Sequence, residues 1–210
     1  MKKIYTVIAT VVVIFAIFAI TAFQAQTQKF GVCDLSSVAN NSKYGKRKMQ
    51  EIETARSKYF SILTFLRQNP FISRSEAQKF RDLSLNNSLT PAQQKDLDEL
   101  KAGAQRLREE FERLVNMRNP SESEQRRIQE LAIAREEIMQ IQNTWGEEFS
   151  RTLNDQFEDA KEDVHNKVKA AVRKLGRRDG FSVIFDSNSA PYAANDVTDE
   201  LLKVMDADNP

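Results

Sequence analysis

The sequence predicts a mainly α-helical protein with a small β body. A long antiparallel coiled-coil hairpin stands on a short strand-containing base that other copies of the chain must complete. Three observations predict it. The 210 residues are 29% charged and 40% hydrophobic with only 6 Gly and 5 Pro, a composition of long helix rather than sandwich or barrel. Between about 43 and 175 the apolar residues recur at intervals of three and four, the period of a helix face. β-branched and aromatic runs stand near the two ends of the exported chain, "KFGVC" and "FSVIF", and are too short to make an independent core.

Residues 1–25 carry Lys2, Lys3 and an apolar run to Phe23, the pattern of an export signal. The run approaches the ~20 residues that span a bilayer. A cut after Ala25 would also leave Phe23 where a small residue is preferred, so a cleaved signal and a retained N-terminal anchor both stay open. Either places the remainder outside the cytoplasm, and an uncleaved segment would add contact with the membrane. "KFGVCDLSSVANN", residues 29–41, begins with alternation that suits a short strand, and Cys33 reads as a small buried residue of it rather than a lipid-attachment cysteine. From about 43 to 67 the positions Met49, Ile52, Tyr59, Leu63 and Leu66 keep helical spacing. Pro70 stops this helix, because it lacks an amide proton and pushes Asn69 away from helical angles.

Ser73 with Glu76 forms a capping box for a short helix over about 74–85, and Thr90 with Pro91 reads as the N-cap and first residue of the next. There Leu97, Leu100, Ala104, Leu107, Phe111 and Leu114 make a coiled-coil seam. Asn119 and Pro120 close it, and Ser121 with Glu124 opens a helix that runs to about 175. This helix carries Ile128, Leu131, Ile138, Trp145, Phe149, Phe157, Val164 and Val168 near one face, with Gly176 as its C-cap. "FSVIF" then predicts a strand, "DSNSAPYAAND" a polar connection with a further extended segment around Tyr192, and "TDELLKVMD" a terminal helix begun by Asp199 and Glu200.

Lengths choose the topology. The last long helix has roughly 55 residues, roughly 80 Å at 1.5 Å per residue. Residues 42–68 and 91–117 together supply nearly as many, provided that 69–90 is a side excursion. The domains read from this are a signal or anchor at 1–25, a β body for oligomerisation from 29–41 and 177–210, and a helical arm over 42–176. The arm has an elbow at 69–90 and a tip near 119–120.

Net charge is +1, but from Asp179 onward seven acids face Lys203 alone. With acids interleaved through the basic middle, nucleic acid is not expected as a partner. Catalytic chemistry is not expected either. His165 is the only histidine and reads as a solvated helix residue with no companion in metal-ligand spacing. Asp186 and Asn188 read as turn formers without a nucleophile or base beside them. No metal or cofactor is expected.

"KFGVCDLSSV" followed by "GKRKMQEIE", and "DGFSVIFDSNSAPYAANDVTDELLKVMD" at the other end, make the chain resemble the OmpH/Skp family of periplasmic chaperones for outer membrane proteins. The resemblance implies a homotrimer in which strands of three chains form a central β-barrel and three arms enclose a cavity for unfolded outer-membrane β-barrel proteins, without ATP. Two departures stand out, the 69–90 excursion and a nearly neutral charge where family members are often strongly basic. Val32, Leu35, Val183, Ile184 and Phe185 are the candidate oligomerisation residues. A holdase also needs apolar surface that its own fold does not consume. Phe65, Phe71, Phe80, Met117, Ile133, Met139 and Ile141, off the best seam or near breaks, are the candidate client-binding residues, with packing inside the arm as their alternative. A second function stays open beside the chaperone: a membrane-anchored structural coiled-coil protein of the cell envelope.

Overall fold

The computed structural model describes residues 28–190, 192 and 194–209. Among them the element order is β1 (Lys29–Cys33), α1 (Leu35–Asn41), α2 (Lys43–Gln68), α3 (Arg74–Leu85), α4 (Pro91–Val115), α5 (Glu122–Asp179), β2 (Phe181–Asp186) and α6 (Thr198–Asp208). Among the described residues the chain is mainly helical, with long helices and one small two-stranded sheet. The export segment expected over 1–25 lies outside the described residues. Among the described residues no helix is long and apolar enough to cross a membrane. Two compact units are present, one of residues 28–38 and 168–208, the other of 39–167 with residue 209.

In the first unit β1 and β2 pair in parallel, with Phe30 opposite Val183, Val32 opposite Phe185 and Cys33 opposite Asp186. On the other side of β1, the Val32 amide donates to the Asn195 carbonyl and the Val197 amide donates to the Val32 carbonyl, each at 2.8 Å. The further extended segment expected around Tyr192 is therefore at Asp196, which bridges Val32. The stretch 29–41 is also not all β. The Asp34 carboxylate accepts the Ser37 amide at 2.7 Å and caps a short helix, so Leu35 is a helical residue. Gly176 does not end α5. The helix continues to Asp179 and stops at Gly180, whose φ of +71° is the left-handed conformation open to glycine. The Asx turn is present as expected, with Asp186 Oδ1 accepting the Asn188 amide at 3.0 Å. The buried residues of this unit include Val32, Cys33, Val38, Val168, Leu175, Leu201 and Met205.

In the second unit the helix starts follow local chemistry. Ser42, Ser73 and Thr90 each accept an amide of the first turn, and Glu76 and Gln93 reach back to the Ser73 and Thr90 amides. Glu124 does the same for Ser121 at 2.8 Å. Tyr44 donates its hydroxyl to Asp163, and farther along α2 Tyr59 stacks on Phe149 at 4.3 Å, so these two helices run in opposite senses. Along α4 and α5 the pairing also descends, from Leu97 and Leu100 clustered with Trp145 and Phe149 to Glu110 bonded to Arg127. Most of the expected stripe is buried or half-buried. Met49 and Phe157 are corrections to it, since both are exposed, while Ile62, unread in the sequence, is fully buried.

The segment 69–90 is more than an excursion. Ala77, Phe80 and Leu83, three residues apart on α3, are buried in the cluster that holds Ile62, Leu66, Ile138 and Trp145. Arg81 of α3 forks onto the Glu148 carboxylate and lies 4.8 Å from the Trp145 ring and 5.0 Å from the Phe149 ring. A helix with one apolar face and a charged latch is held in the core.

Candidate functional site

Two kinds of surface bear on function, an incomplete sheet and apolar side chains left in water. In a parallel pair, residues in register point to the same face, and alternate residues of one strand share it. Phe30, Val32, Val183 and Phe185 therefore lie on one face, and the Phe30 and Phe185 rings are 6.4 Å apart. Val32 is buried, yet Phe30, Val183 and Phe185 are each exposed by two-fifths or slightly more. Among the described residues β2 is paired on one edge only. Ile184, on the opposite face, is half-buried, as is Leu35 on α1. Of the candidate oligomerisation residues, Val183 and Phe185 are thus available on one face, and Phe30 joins them. Alternation from Val32 back to Phe30 could have found it.

The candidate binding residues divide. Phe65 and Phe80 stack on each other with ring centroids 3.6 Å apart, and Phe71 stacks on Phe111 at 4.3 Å. Phe71, Phe80 and Ile141 are buried and Phe65 is half-buried, because helix α3 and the turn before it fold their apolar side chains into the core. These four are largely consumed by the fold. Met117 is half-buried against the cluster of Phe71, Leu114 and Leu131. Ile133 and Met139 remain in water at 64% and 46% exposure. Sequence reasoning missed Phe60, the most exposed side chain of the kind in this unit at 65%. Its position one residue beyond Tyr59, about 100° round the helix from the buried stripe, was the available signal.

Charged groups also tie the helices together. Asp163 accepts from Tyr44 and lies 3.3 Å from Lys48 Nζ. Those two partners hold its carboxyl below the usual range. Arg127 grips both oxygens of Glu110, at 2.8 and 3.1 Å, and lowers that carboxyl's pKa likewise.

The chain matches the family model described as outer membrane protein (OmpH-like) over residues 29–205. It belongs to the OmpH-like family. The match begins at the first residue of β1 and ends within α6, so it includes the incomplete sheet and every exposed helix residue just named. No curated protein matches the chain.

In this OmpH-like chain Cys33 lies in β1, His165 on α5 and Asp186 at the end of β2. The Cys33 thiol is buried and pushed up to about 11 by burial and then by Asp186, Asp196 and Asp34, so the nucleophilic thiolate is suppressed. His165 is exposed on α5. Asp186 spends its carboxylate on the Asn188 turn. Among the described residues no three His, Cys, Asp or Glu side chains are grouped to hold a metal ion.

Proposed function

We propose that this protein is an ATP-independent holdase of the periplasm. It binds unfolded outer-membrane β-barrel proteins in a cavity between the helical arms of a homotrimer. Each arm is the second unit, folded back at the Asn119–Pro120 turn, and the trimer is joined through the β1–β2 body. The observation that carries the reading is the set of apolar side chains left exposed along the helices of an OmpH-like chain: Met49, Phe60, Val115, Ile133, Met139 and Phe157. An unfolded client exposes apolar surface at a cost of roughly 25 cal/mol per Å², and scattered contacts can offset that without a specific pocket. Three arms supply them at high effective concentration. Because net charge is only +1, long-range attraction contributes little, and capture should survive moderate salt.

The test is dilution of a urea-unfolded outer-membrane β-barrel protein into buffer with the purified protein and no nucleotide, followed by light scattering. Aggregation should be suppressed at a stoichiometric ratio of trimer and equally so at low and moderate salt. Unprotected aggregation at that ratio would remove the holdase reading.

A further inference from the structure

We propose that a groove bordered by α2, α3 and α4 is a subsite for an extended polypeptide segment carrying an aromatic side chain next to a carboxylate. The inference rests on the holdase reading and names the chemistry of what the arm holds. The groove has a volume of about 390 Å³ and is lined by Phe60, Ser61, Thr64 and Phe65 of α2, Phe80 of α3 and Lys101 of α4, among others. That volume falls within the roughly 300–1,000 Å³ of ordinary ligand clefts.

Three features select the occupant. Phe60 is exposed beside half-buried Phe65, which is itself stacked on buried Phe80, so a further ring entering the groove meets Phe60 and the open part of Phe65 in the offset or edge-on arrangements that rings prefer. Lys101 is the only charged residue of the lining, and among the described residues no carboxylate pairs with it. The groove therefore presents an uncompensated cation beside aromatic rings, and an anionic group is its complement. Thr64 Oγ1 is buried without a hydrogen-bond partner. A helical threonine has two accessible χ1 wells, so this hydroxyl can turn to a peptide carbonyl that enters the groove and lose its unsatisfied state. An aliphatic segment would use the rings alone and leave Lys101 and Thr64 unanswered.

The experiment titrates the full chain, by heteronuclear NMR, with acetyl-Gly-Asp-Phe-Gly-amide and with its Asn-Phe and Asp-Ala counterparts. The Asp-Phe peptide should shift the α2 and α4 amides around Phe60 and Lys101. It should bind about fivefold more tightly than the Asn-Phe peptide, the equivalent of one exposed ion pair. K101Q should erase that difference, and F60A, at an exposed position, should weaken both peptides. T64V separates binding from folding, because it should weaken the peptide while raising the melting temperature through loss of the orphaned hydroxyl. Equal affinity for all three peptides, or affinities unmoved by F60A and K101Q, would overturn the proposal. If wild type still suppresses aggregation while no peptide binds, the subsite alone fails. If peptides bind as expected while wild type does not suppress aggregation, the holdase reading fails and the groove stands.

Discussion

Single atoms decide several features of the second unit. Gly45 stands in the first turn of α2, where an added Cβ would come within 1.8 Å of the Ala39 carbonyl oxygen. Buried Ser42 fills the same corner, donating to Ala39 at 3.2 Å and accepting from the Gly45 amide at 3.1 Å. G45A should therefore cost about 1–3 kcal/mol, the range for overfilled sites. G103A, inside α4 with no atom nearer than 3.8 Å to the new Cβ, should instead be neutral or stabilise by up to about 1 kcal/mol. Urea midpoints of the two variants check the contrast. Glu110 gives a pH signature. Its folded pKa lies below the unfolded value, so the unfolded chain binds more protons and the ion pair's contribution is present above the ordinary Glu range of about 4.3. It is lost as pH falls through the folded value. With both side chains about one-third exposed, E110Q should lower the melting temperature by about 1–4 °C at neutral pH, equivalent to about 0.5–1 kcal/mol. The difference from wild type should shrink as pH falls below the ordinary Glu range, and a difference that grows on acidification would contradict the pairing.

Among the elements, α3 is the informative one. Its capping box was legible in "SRSE" because the reciprocal Ser73 and Glu76 bonds span only three residues. The same holds for the starts at Thr90 and Ser121. What those local signals do not carry is the destination of the helix, which depends on Arg81 finding Glu148 across 67 residues of chain. The charged latch and the stack on Trp145 and Phe149 make R81A the test of how α3 is held. Loss of the fork and the cation–π contact should cost about 1–3 kcal/mol and leave Glu148 unpaired. Trp145 is the single tryptophan, so its fluorescence reports this site alone. R81A should shift the emission to the red and speed hydrogen exchange over 74–85, and R81K, which keeps the charge without the planar fork, should restore little of either. Unchanged exchange in α3 would mean that Phe80 and its neighbours hold the helix without the latch. Phe65, Phe71, Phe80 and Ile141 stood off the best seam or near breaks, where exposure and packing inside the arm were both open; Phe65 stacks on Phe80 of α3 in the cluster that also buries Ile141, and Phe71 stacks on Phe111 of α4. α5 outran Gly176 because glycine within a helix costs only ~1 kcal/mol, and the left-handed turn at Gly180 ends it instead.

For the whole molecule the open question is what completes the β1–β2 body, and magnitudes constrain the answer. Phe30, Val183 and Phe185 are each about two-fifths exposed. Covering that remainder would be worth about 1 kcal/mol per side chain, or about 3 kcal/mol per chain. For three copies that is about 9 kcal/mol, against two association steps that cost at least about 4 kcal/mol each, so these contacts alone leave little net stability. Pairing along the open edge of β2 must add to them, and a closed ring of copies leaves no edge unpaired. The homotrimer we propose meets both requirements. It also predicts which substitutions separate folding from assembly. V183D with F185D places two charges on the exposed face, where each would be desolvated on assembly but remains hydrated in the single chain. Sedimentation at micromolar concentration should show wild type as a trimer and this variant as a monomer with unchanged helical circular dichroism. Its suppression of outer-membrane protein aggregation should fall with the loss of the three-armed cavity. V32D, at a buried strand residue whose amide and carbonyl both bond the 195–197 segment, should instead unfold the body outright, and H165A, on the exposed face of α5, should change neither assembly nor protection. A wild-type chain that sediments as a folded monomer at that concentration would refute the trimer. A V183D/F185D chain that stays trimeric would move the interface away from this face.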